Sequence, residues 1–455
     1  MTTLMNDAAF TLSAPLKEHQ RTGVDWLVKR PRAVLADDVG LGKTVTALGL
    51  IAELGVTEQL PRTQHQLARV LWLTEANLID QTAAEIQRFL PSASLLTGND
   101  RELGGGGRAQ LKLQERARTG IDLLVLSHET AHSRRQWLSR YEFAMVVIDE
   151  GSKVRGGGPS ATTMAALAQR AGRALLMTAT PLENNPVELW RVLSAAGVEG
   201  LWPKGTFEKR FVWFGPPFVD KWGREHPQPE GWLEPRVGEV RKLLSETVLR
   251  RTADDIGLPL PRLEQTTRWV GLTAAQRKAY ETALNSVGLT GFQRKQMAGL
   301  IADGQSALVD ALSVELRLRG ADRQAVVYCE TLEMLDLVEQ ALHRDEISLV
   351  RVEGKVKAPD RAAAVERFRA GDARVFLGSS VLERGLNLQH CNLLISLGAS
   401  WNPKREQQRE GRIRRIGSPH DVCEHLTLLP DTPLVRQRQI DALSRKSRTA
   451  DVVGL

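Results

Sequence analysis

The run Asp37-Asp38-Val39-Gly40-Leu41-Gly42-Lys43-Thr44 places two glycines, a lysine and a hydroxyl in one short turn. Backbone N–H groups bared by such glycines can cradle phosphate oxygens, the Lys43 ammonium can sit against β- and γ-phosphates, and the Thr44 hydroxyl can ligate Mg²⁺. Far downstream, Asp149-Glu150 supplies two adjacent carboxylates. Asp149 is placed to hold the metal, directly or through water, and Glu150 to orient or deprotonate an attacking water. A third cluster, Gln408-Arg409-Glu410-Gly411-Arg412-Ile413-Arg414-Arg415, brings guanidinium groups. Negative charge spreads over the γ-phosphate oxygens during phosphoryl transfer, and a guanidinium inserted there stabilises it. Arg412 and Arg415, three apart, are expected on one face of a helix, with Arg409 and Arg414 on the solvated or nucleic-acid side. The chemistry these three clusters can do together is ATP hydrolysis, at a site completed only when two halves of the chain close.

Elements of the right kind flank each cluster. The apolar run Ala33-Val34-Leu35-Ala36 reads as a buried strand feeding the phosphate turn, and Val45 to Leu54 as the helix leaving it. Met145 to Ile148 is of strand length and delivers Asp149 and Glu150 at its carboxyl end, where open α/β sheets bind ligands. Further runs at Val70–Leu73, Leu123–Leu126 and Ala174–Met177 alternate with helix-like stretches. That alternation signals βαβ units and a parallel sheet covered on both faces. It restarts after residue 320, with Ala325–Tyr328, Leu349–Val352, Val375–Leu377 and Leu393–Ile395. Two similar α/β domains are expected, as a chain of 455 residues exceeds what one core usually fills.

The boundaries expected are an ATP-binding domain over 1–252 with a Trp/Pro-rich insertion at about 191–240, a helical hinge or insertion over 253–320, a second α/β domain over 321–430, and a tail over 431–455. The stretch Trp190 to Trp269 holds six of the ten tryptophans. It reads either as a DNA-facing or regulatory insertion or as short helices packed on the first domain. No run in the chain reads as a wedge hairpin for prying bases apart. Glycine runs at 104–107 and 156–158 read as loops.

Composition is that of a globular chain, with 42% hydrophobic and 25% charged residues. There is no apolar stretch of eighteen residues, and Met1 to Phe10 lacks a basic region followed by an apolar one, so a cytoplasmic protein of a bacterium or of the host of a phage is expected. Cys329, Cys391 and Cys423 lie far apart, which reads as small core residues with no disulfide framework. His420-Asp421-Val422-Cys423-Glu424-His425 lacks a second ligand pair at zinc-finger spacing and reads as strand or turn. The net charge of +7 favours a polyanionic partner.

The segment Met177-Thr178-Ala179-Thr180-Pro181-Leu182-Glu183-Asn184-Asn185-Pro186-Val187-Glu188-Leu189-Trp190 resembles the third motif of helicase superfamily two, in the extended form found in Swi/Snf-type DNA-dependent ATPases. Leu16 to Gln20 with Gly23 to Leu27, Val248 to Thr252, and Ser400-Trp401-Asn402-Pro403 are similar to segments of that family in the same order. The chain is thus identified as a compact, bacterial or phage-like member. The resemblance implies two RecA-like lobes joined by a helical hinge or insertion, with ATP and Mg²⁺ as cofactors. It implies that Gln20 reads adenine, that the turn from Asp37 to Thr44 together with Gly385, Arg412 and Arg415 binds ATP, and that Thr44 and Asp149 hold the metal. Thr178 and Thr180, with Ser152 and Gln408, would relay nucleotide state to the DNA side.

The partner implied is DNA, mostly as a duplex and without sequence specificity, with bound protein as possible cargo and no membrane. Candidate backbone contacts are Thr74 to Asn77, Ser127 with His128, Lys153, Arg155, Ser379 with Ser380, and Trp401 with Lys404, because hydroxyls, backbone amides and cations meet phosphate without reading bases. Asp37 stands where the strict loop pattern has glycine, and three places depart from the family: Ser152 where a histidine is usual, Leu382 to Leu388 with one glycine where relatives often show two more, and Gly411 where many relatives carry aspartate. Three functions stay open at this stage. They are a duplex-DNA translocase, a strand-separating DNA or RNA helicase, and a nucleic-acid-binding scaffold without hydrolysis.

Overall fold

The computed structural model describes residues 10–57, 59–60, 66–98, 120–149, 151–183, 185–219, 223–253, 255–257, 260–285, 301, 304–356, 358–383, 386–398, 403–415, 417–433, 435–436 and 451–454. The chain divides into two compact units, Met1–Gly257 with Ser444–Leu455, and Leu258–Leu443. The first unit carries β1 (Arg32–Leu35), β2 (Ala68–Thr74), β3 (Leu95–Thr97), β4 (Ile121–Ser127), β5 (Met145–Ile148), β6 (Arg173–Met177), the hairpin strands β7 (Val212–Val219) and β8 (Glu225–Trp232), and β9 (Val248–Leu249). Apart from the hairpin these make one sheet in the order β3-β4-β2-β5-β6-β1-β9, with every pair parallel. The order is not sequential, so each neighbouring parallel pair needs a crossover, and the helices between strands supply it.

Alternate residues of these strands enter different cores, as the period of two demands. Val34, Leu71, Leu73, Val146, Ile148 and Leu176 join one cluster, and Ala33, Leu35, Val70, Trp72, Val147 and Met177 the other. Both faces are therefore buried, and each fully buried Leu or Val contributes about 1.5–3 kcal/mol. The second unit repeats the plan. Its strands β10 (Arg262–Val270), β11 (Ala325–Cys329), β12 (Leu349–Val352), β13 (Val375–Gly378), β14 (Leu393–Leu397) and β15 (Val422–Pro430) form the parallel sheet β10-β15-β14-β11-β13-β12. Val327 and Ile395 face one core, Val326 and Leu394 the other. Two parallel α/β sheets are thus present, as the restart of the strand pattern required.

Several expectations need correction. The segment read as a helical hinge over 253–320 includes the nine-residue strand β10, which pairs with β15 along its whole length, and the helix Ala307–Leu318, whose Leu308, Leu312 and Leu316 lie in the second unit's core. A strand was missed there because Arg262 to Arg268 is mostly exposed and polar, leaving no apolar alternation to read. The Trp/Pro-rich stretch is divided in character. Phe207, Phe211, Trp232 and Val240 join the first unit's core, and Trp190 Nε1 donates to Trp202 O at 2.8 Å. Beyond them β7 and β8 form an antiparallel hairpin whose Trp213 is 50% exposed, so an exposed hairpin does exist in the chain.

At the end of the chain Val453 is buried in the first unit's core, and Arg241 donates twice to Val452 O, at 3.1 and 2.9 Å. Cys329, Cys391 and Cys423 are free and buried, and burial pushes all three thiols above their ordinary range. Cys423 and His425 lie on β15, with no metal-ligand cluster among the described residues. No helix among the described residues is long and apolar enough to cross a membrane.

Candidate active site

The phosphate turn leaves the carboxyl end of β1. Gly40 and Gly42 have φ of 91° and 79°, and Gly42 forms the left-handed N-cap of the helix Lys43–Val56. A side chain at Gly42 would be strained by that φ, and its Cβ would lie 2.8 Å from Gln20 Nε2. The helix N-terminus presents its unbonded N–H groups to the turn, the arrangement that binds phosphate. Lys43 Nζ donates to the carbonyls of Asp37 and Asp38 at 2.8 and 3.2 Å, which holds the ammonium over the turn.

Two side chains fasten the turn from outside it. His19 Nε2 lies 3.0 Å from Leu41 O, and Gln20, whose Oε1 accepts from Lys17 N at 2.9 Å, packs against Gly42. Asp37 is fully buried and gives its carboxylate to Arg251, with Nη2–Oδ2 at 2.5 Å and Nε–Oδ1 at 3.0 Å. Arg251 also donates to His19 O. Asp37 therefore lends the turn a backbone carbonyl, and its side chain faces away from phosphate.

The carboxylate and the third motif meet at the carboxyl ends of neighbouring central strands. Asp149 N donates to Leu73 O at 2.7 Å, Gly151 N to Met177 O at 3.0 Å, and Thr178 N to Leu35 O at 3.1 Å. These bonds continue the ladder beyond the strands and bring the ends of β5, β6 and β1 together. Gly151 allows the approach, as a Cβ there would lie 2.8 Å from Leu176 Cδ2 and 3.5 Å from Thr178 Cβ. Thr178 Oγ1 accepts from Thr180 N at 3.2 Å and lies 3.3 Å from Thr180 O, so the two threonines form one closed turn. Glu150, Gly385 and Trp401 lie outside the described residues, as do the side chains of Ser152 and Lys404.

In the second unit the arginine cluster lies on and just beyond the helix Pro403–Ile413. Arg412 is within it and Arg415 beyond its end, where Nε donates to Gly411 O at 2.8 Å, so the single helical face expected for the pair is not what forms. Arg414 donates to Pro261 O at 2.7 Å. Arg409 is 1% exposed and its guanidinium lies 3.8 Å from the Tyr328 ring centre, which removes it from the solvated side assigned by spacing. Glu410 accepts from His425 Nδ1 and Gln265 Nε2, both at 2.6 Å. Burial raises the Glu410 carboxyl, but the His425 hydrogen bond and charge outweigh it and hold it below its ordinary range. Gln408 is half-buried on the same helix.

The SNF2-related domain model matches residues 19–325, and the Helicase conserved C-terminal domain matches residues 306–417. The chain belongs to the SNF2-related family. Nuclear protein STH1/NPS1 of Saccharomyces cerevisiae is 24% identical over 90% of this chain and 32% of its own length. ISWI chromatin-remodeling complex ATPase CHR17 of Arabidopsis thaliana is 24% identical over 90% of this chain and 40% of its own. ATP-dependent helicase brm of Drosophila melanogaster is 23% identical over 92% and 28%. The chain thus spans about a third of the length of these curated relatives. A solved structure, the Sulfolobus solfataricus SWI2/SNF2 ATPase core in complex with dsDNA, matches 98% of this chain and 95% of that chain at 19% identity, with a TM-score of 0.45.

Against this SNF2-related frame, the DNA contacts expected from sequence are mostly engaged inside their own units. Thr74 is fully buried, and Ser127 caps the helix His128–Ser133 by accepting from Thr130 N at 2.9 Å. Arg155 is 9% exposed, ion-paired with Glu183, and its carbonyl accepts from Arg191 Nη1 at 2.7 Å. Lys153 is paired with Glu129, and Ser379 is buried. Asn77, in the short turn Ala76–Leu78, is half-buried and presents some surface. Hydroxyls and cations at strand ends satisfy caps and neighbouring carboxylates as readily as phosphates, so residue type alone could not separate the two roles. His128, expected beside Ser127 as a DNA contact, is buried instead. Its ring is 1% exposed, and burial, with Lys153 nearby, lowers its pKa to about 4 against the opposing Glu129 charge.

Proposed function

We propose that this chain is a DNA-dependent ATPase that couples hydrolysis to movement along duplex DNA or to displacement of protein bound there. The observation that carries the reading is the convergence, at the carboxyl ends of three neighbouring parallel strands, of the Lys43-Thr44 turn, Asp149 and the Thr178–Thr180 turn, in a chain of the SNF2-related family that also carries the helicase C-terminal match. Neither a structural turn nor a nucleic-acid patch needs all of these at once.

The donor set fits ATP with Mg²⁺. A hydroxyl and a carboxylate are hard oxygen ligands, and Mg²⁺ is usually held by one or two protein groups with phosphate and water filling the rest. Bound, the nucleotide supplies the transferable γ-phosphoryl group. Lys43 would balance phosphate charge, Thr44 and Asp149 would hold the metal, Glu150 would orient the attacking water, and Arg412 and Arg415 would stabilise charge in the transition state. Thr178 and Thr180 carry nucleotide state into the lobe that holds them. The net charge of +7 favours contact with the phosphate backbone, which gives sequence-independent binding that weakens as salt rises.

The test is ATPase rate with no nucleic acid, duplex DNA, single-stranded DNA and RNA, beside Lys43→Ala and Glu150→Gln. Greatest stimulation by duplex DNA supports the reading; greatest stimulation by RNA overturns it. The exposed β7–β8 hairpin with Trp213 favours a second reading, strand separation, since an exposed aromatic can stack on an unpaired base. Triplex displacement measured beside forked-duplex unwinding separates the two, and Trp213→Ala lowers only unwinding if the hairpin is a wedge.

A further inference from the structure

The backbone turn that carries Asp149 is faced by the first residue after β4. His128 opens the helix His128–Ser133 immediately after that strand, and its ring faces the backbone of Leu73 and Asp149. In the strand order β4-β2-β5, the ring reaches across the end of β2 to the end of β5. The next residue, Glu129, is ion-paired with Lys153. The first two residues of this helix thus meet positions 149 and 153, on either side of Glu150 in the sequence.

The His128 ring is 1% exposed, and neither Nδ1 nor Nε2 closes a well-formed hydrogen bond, the backbone of Leu73 and Asp149 being the polar groups that face it. Beside it Thr74, the last residue of β2, is fully buried with Oγ1 also unpartnered. An imidazole always carries at least one N–H donor, and a buried polar group without a partner costs stability that an apolar ring of the same shape would not. Packing alone therefore selects against histidine here. What the position does offer is a polar ring against the backbone of a residue that must be held to within a fraction of an ångström for metal-assisted phosphoryl transfer.

We propose that His128 is a positioning residue for Asp149, and that with the Glu129–Lys153 ion pair it couples the helix after β4 to the hydrolytic turn. The proposal rests on the reading of Asp149 as the metal carboxylate. Its test compares wild type, His128→Phe and His128→Gln in three measurements: melting temperature without nucleotide, binding of a fluorescent ATP analogue with and without Mg²⁺, and duplex-stimulated ATPase as a function of Mg²⁺ concentration. His128→Phe is expected to melt at or above the wild-type temperature and to bind the analogue without Mg²⁺ within twofold. Its half-saturating Mg²⁺ concentration is expected to rise at least fivefold and its stimulated turnover to fall at least tenfold, with His128→Gln recovering a third or more of the rate. Turnover within twofold of wild type at every Mg²⁺ concentration overturns the proposal. Equal loss in both variants accompanied by a lower melting temperature also overturns it, because His128 is then a packing residue. Were wild type itself to lack ATPase activity, the functional reading would fall, and the Mg²⁺ dependence of analogue binding in His128→Phe against wild type would still decide this inference.

Discussion

Arg251 clasps Asp37 through two hydrogen bonds, Nη2–Oδ2 at 2.5 Å and Nε–Oδ1 at 3.0 Å, across 214 residues of sequence. The clasp fixes the root of the phosphate turn to β9, whose last carbonyl, Leu249 O, accepts from Ala36 N at 2.7 Å. Asp37 is fully buried, so Arg251→Met leaves a carboxylate without its partner. The expected cost is about 3–5 kcal/mol in urea unfolding, with nucleotide affinity lost in parallel. Asp37→Gly, which restores the loop pattern the sequence departs from, is expected to destabilise as well, because it strands the Arg251 guanidinium. Unfolding midpoints for the two variants check both expectations.

Gly42 supports a sharper prediction. Its φ of 79° costs an L-residue about 1–2 kcal/mol, and its Cβ would meet Gln20 Nε2 at 2.8 Å. Gly42→Ala is expected to weaken ATP binding at least tenfold. Adding Gln20→Ala removes the clash but not the backbone strain, so affinity should stay below that of Gln20→Ala alone in titrations with a fluorescent ATP analogue.

Arg412 and Arg415 are expected to act on the rate of hydrolysis and not on binding. Alanine at either position should leave ATP affinity within a few-fold and lower turnover at least a hundredfold. Near-normal turnover in both variants would remove them from the site. Arg409 is the contrast. It is buried over Tyr328 with Nη1 and Nη2 unpartnered, and buried charges exchanged for apolar residues of similar volume are often neutral or stabilising. Arg409→Met should therefore unfold at the wild-type urea midpoint or above it.

Stability should also respond to pH through His390. Its ring packs edge-on to Phe368 with centroids 5.0 Å apart, and burial, with Arg369 nearby, lowers its pKa below the ordinary value. A histidine depressed in the folded state gives its full stabilisation above the unfolded pKa of about 6.5, and loses it as pH falls towards the folded value. Melting temperature should drop below about pH 6.5, and His390→Phe should flatten that part of the profile.

The phosphate turn, the Asp149 strand and the third motif were legible because each couples a strand-length apolar run to a chemically unusual turn. Burial on both sheet faces made the central strands read as continuous apolar runs. Where strands lie at a sheet edge, as β10 does, polar exposed residues carry no such pattern, and pairing with β15 decides the conformation. The Asp37–Arg251 pair and the His128 ring were out of reach for another reason. Both depend on which strand ends become neighbours in space, and strand order is set by crossovers that local sequence does not encode.

The return of the chain to its first unit has a mechanical consequence. With Met1–Gly257 and Ser444–Leu455 in one unit and Leu258–Leu443 in the other, the polypeptide passes between them twice. A single peptide-bond cleavage in either passage leaves the two bodies covalently joined, so each remains at high effective concentration for the other.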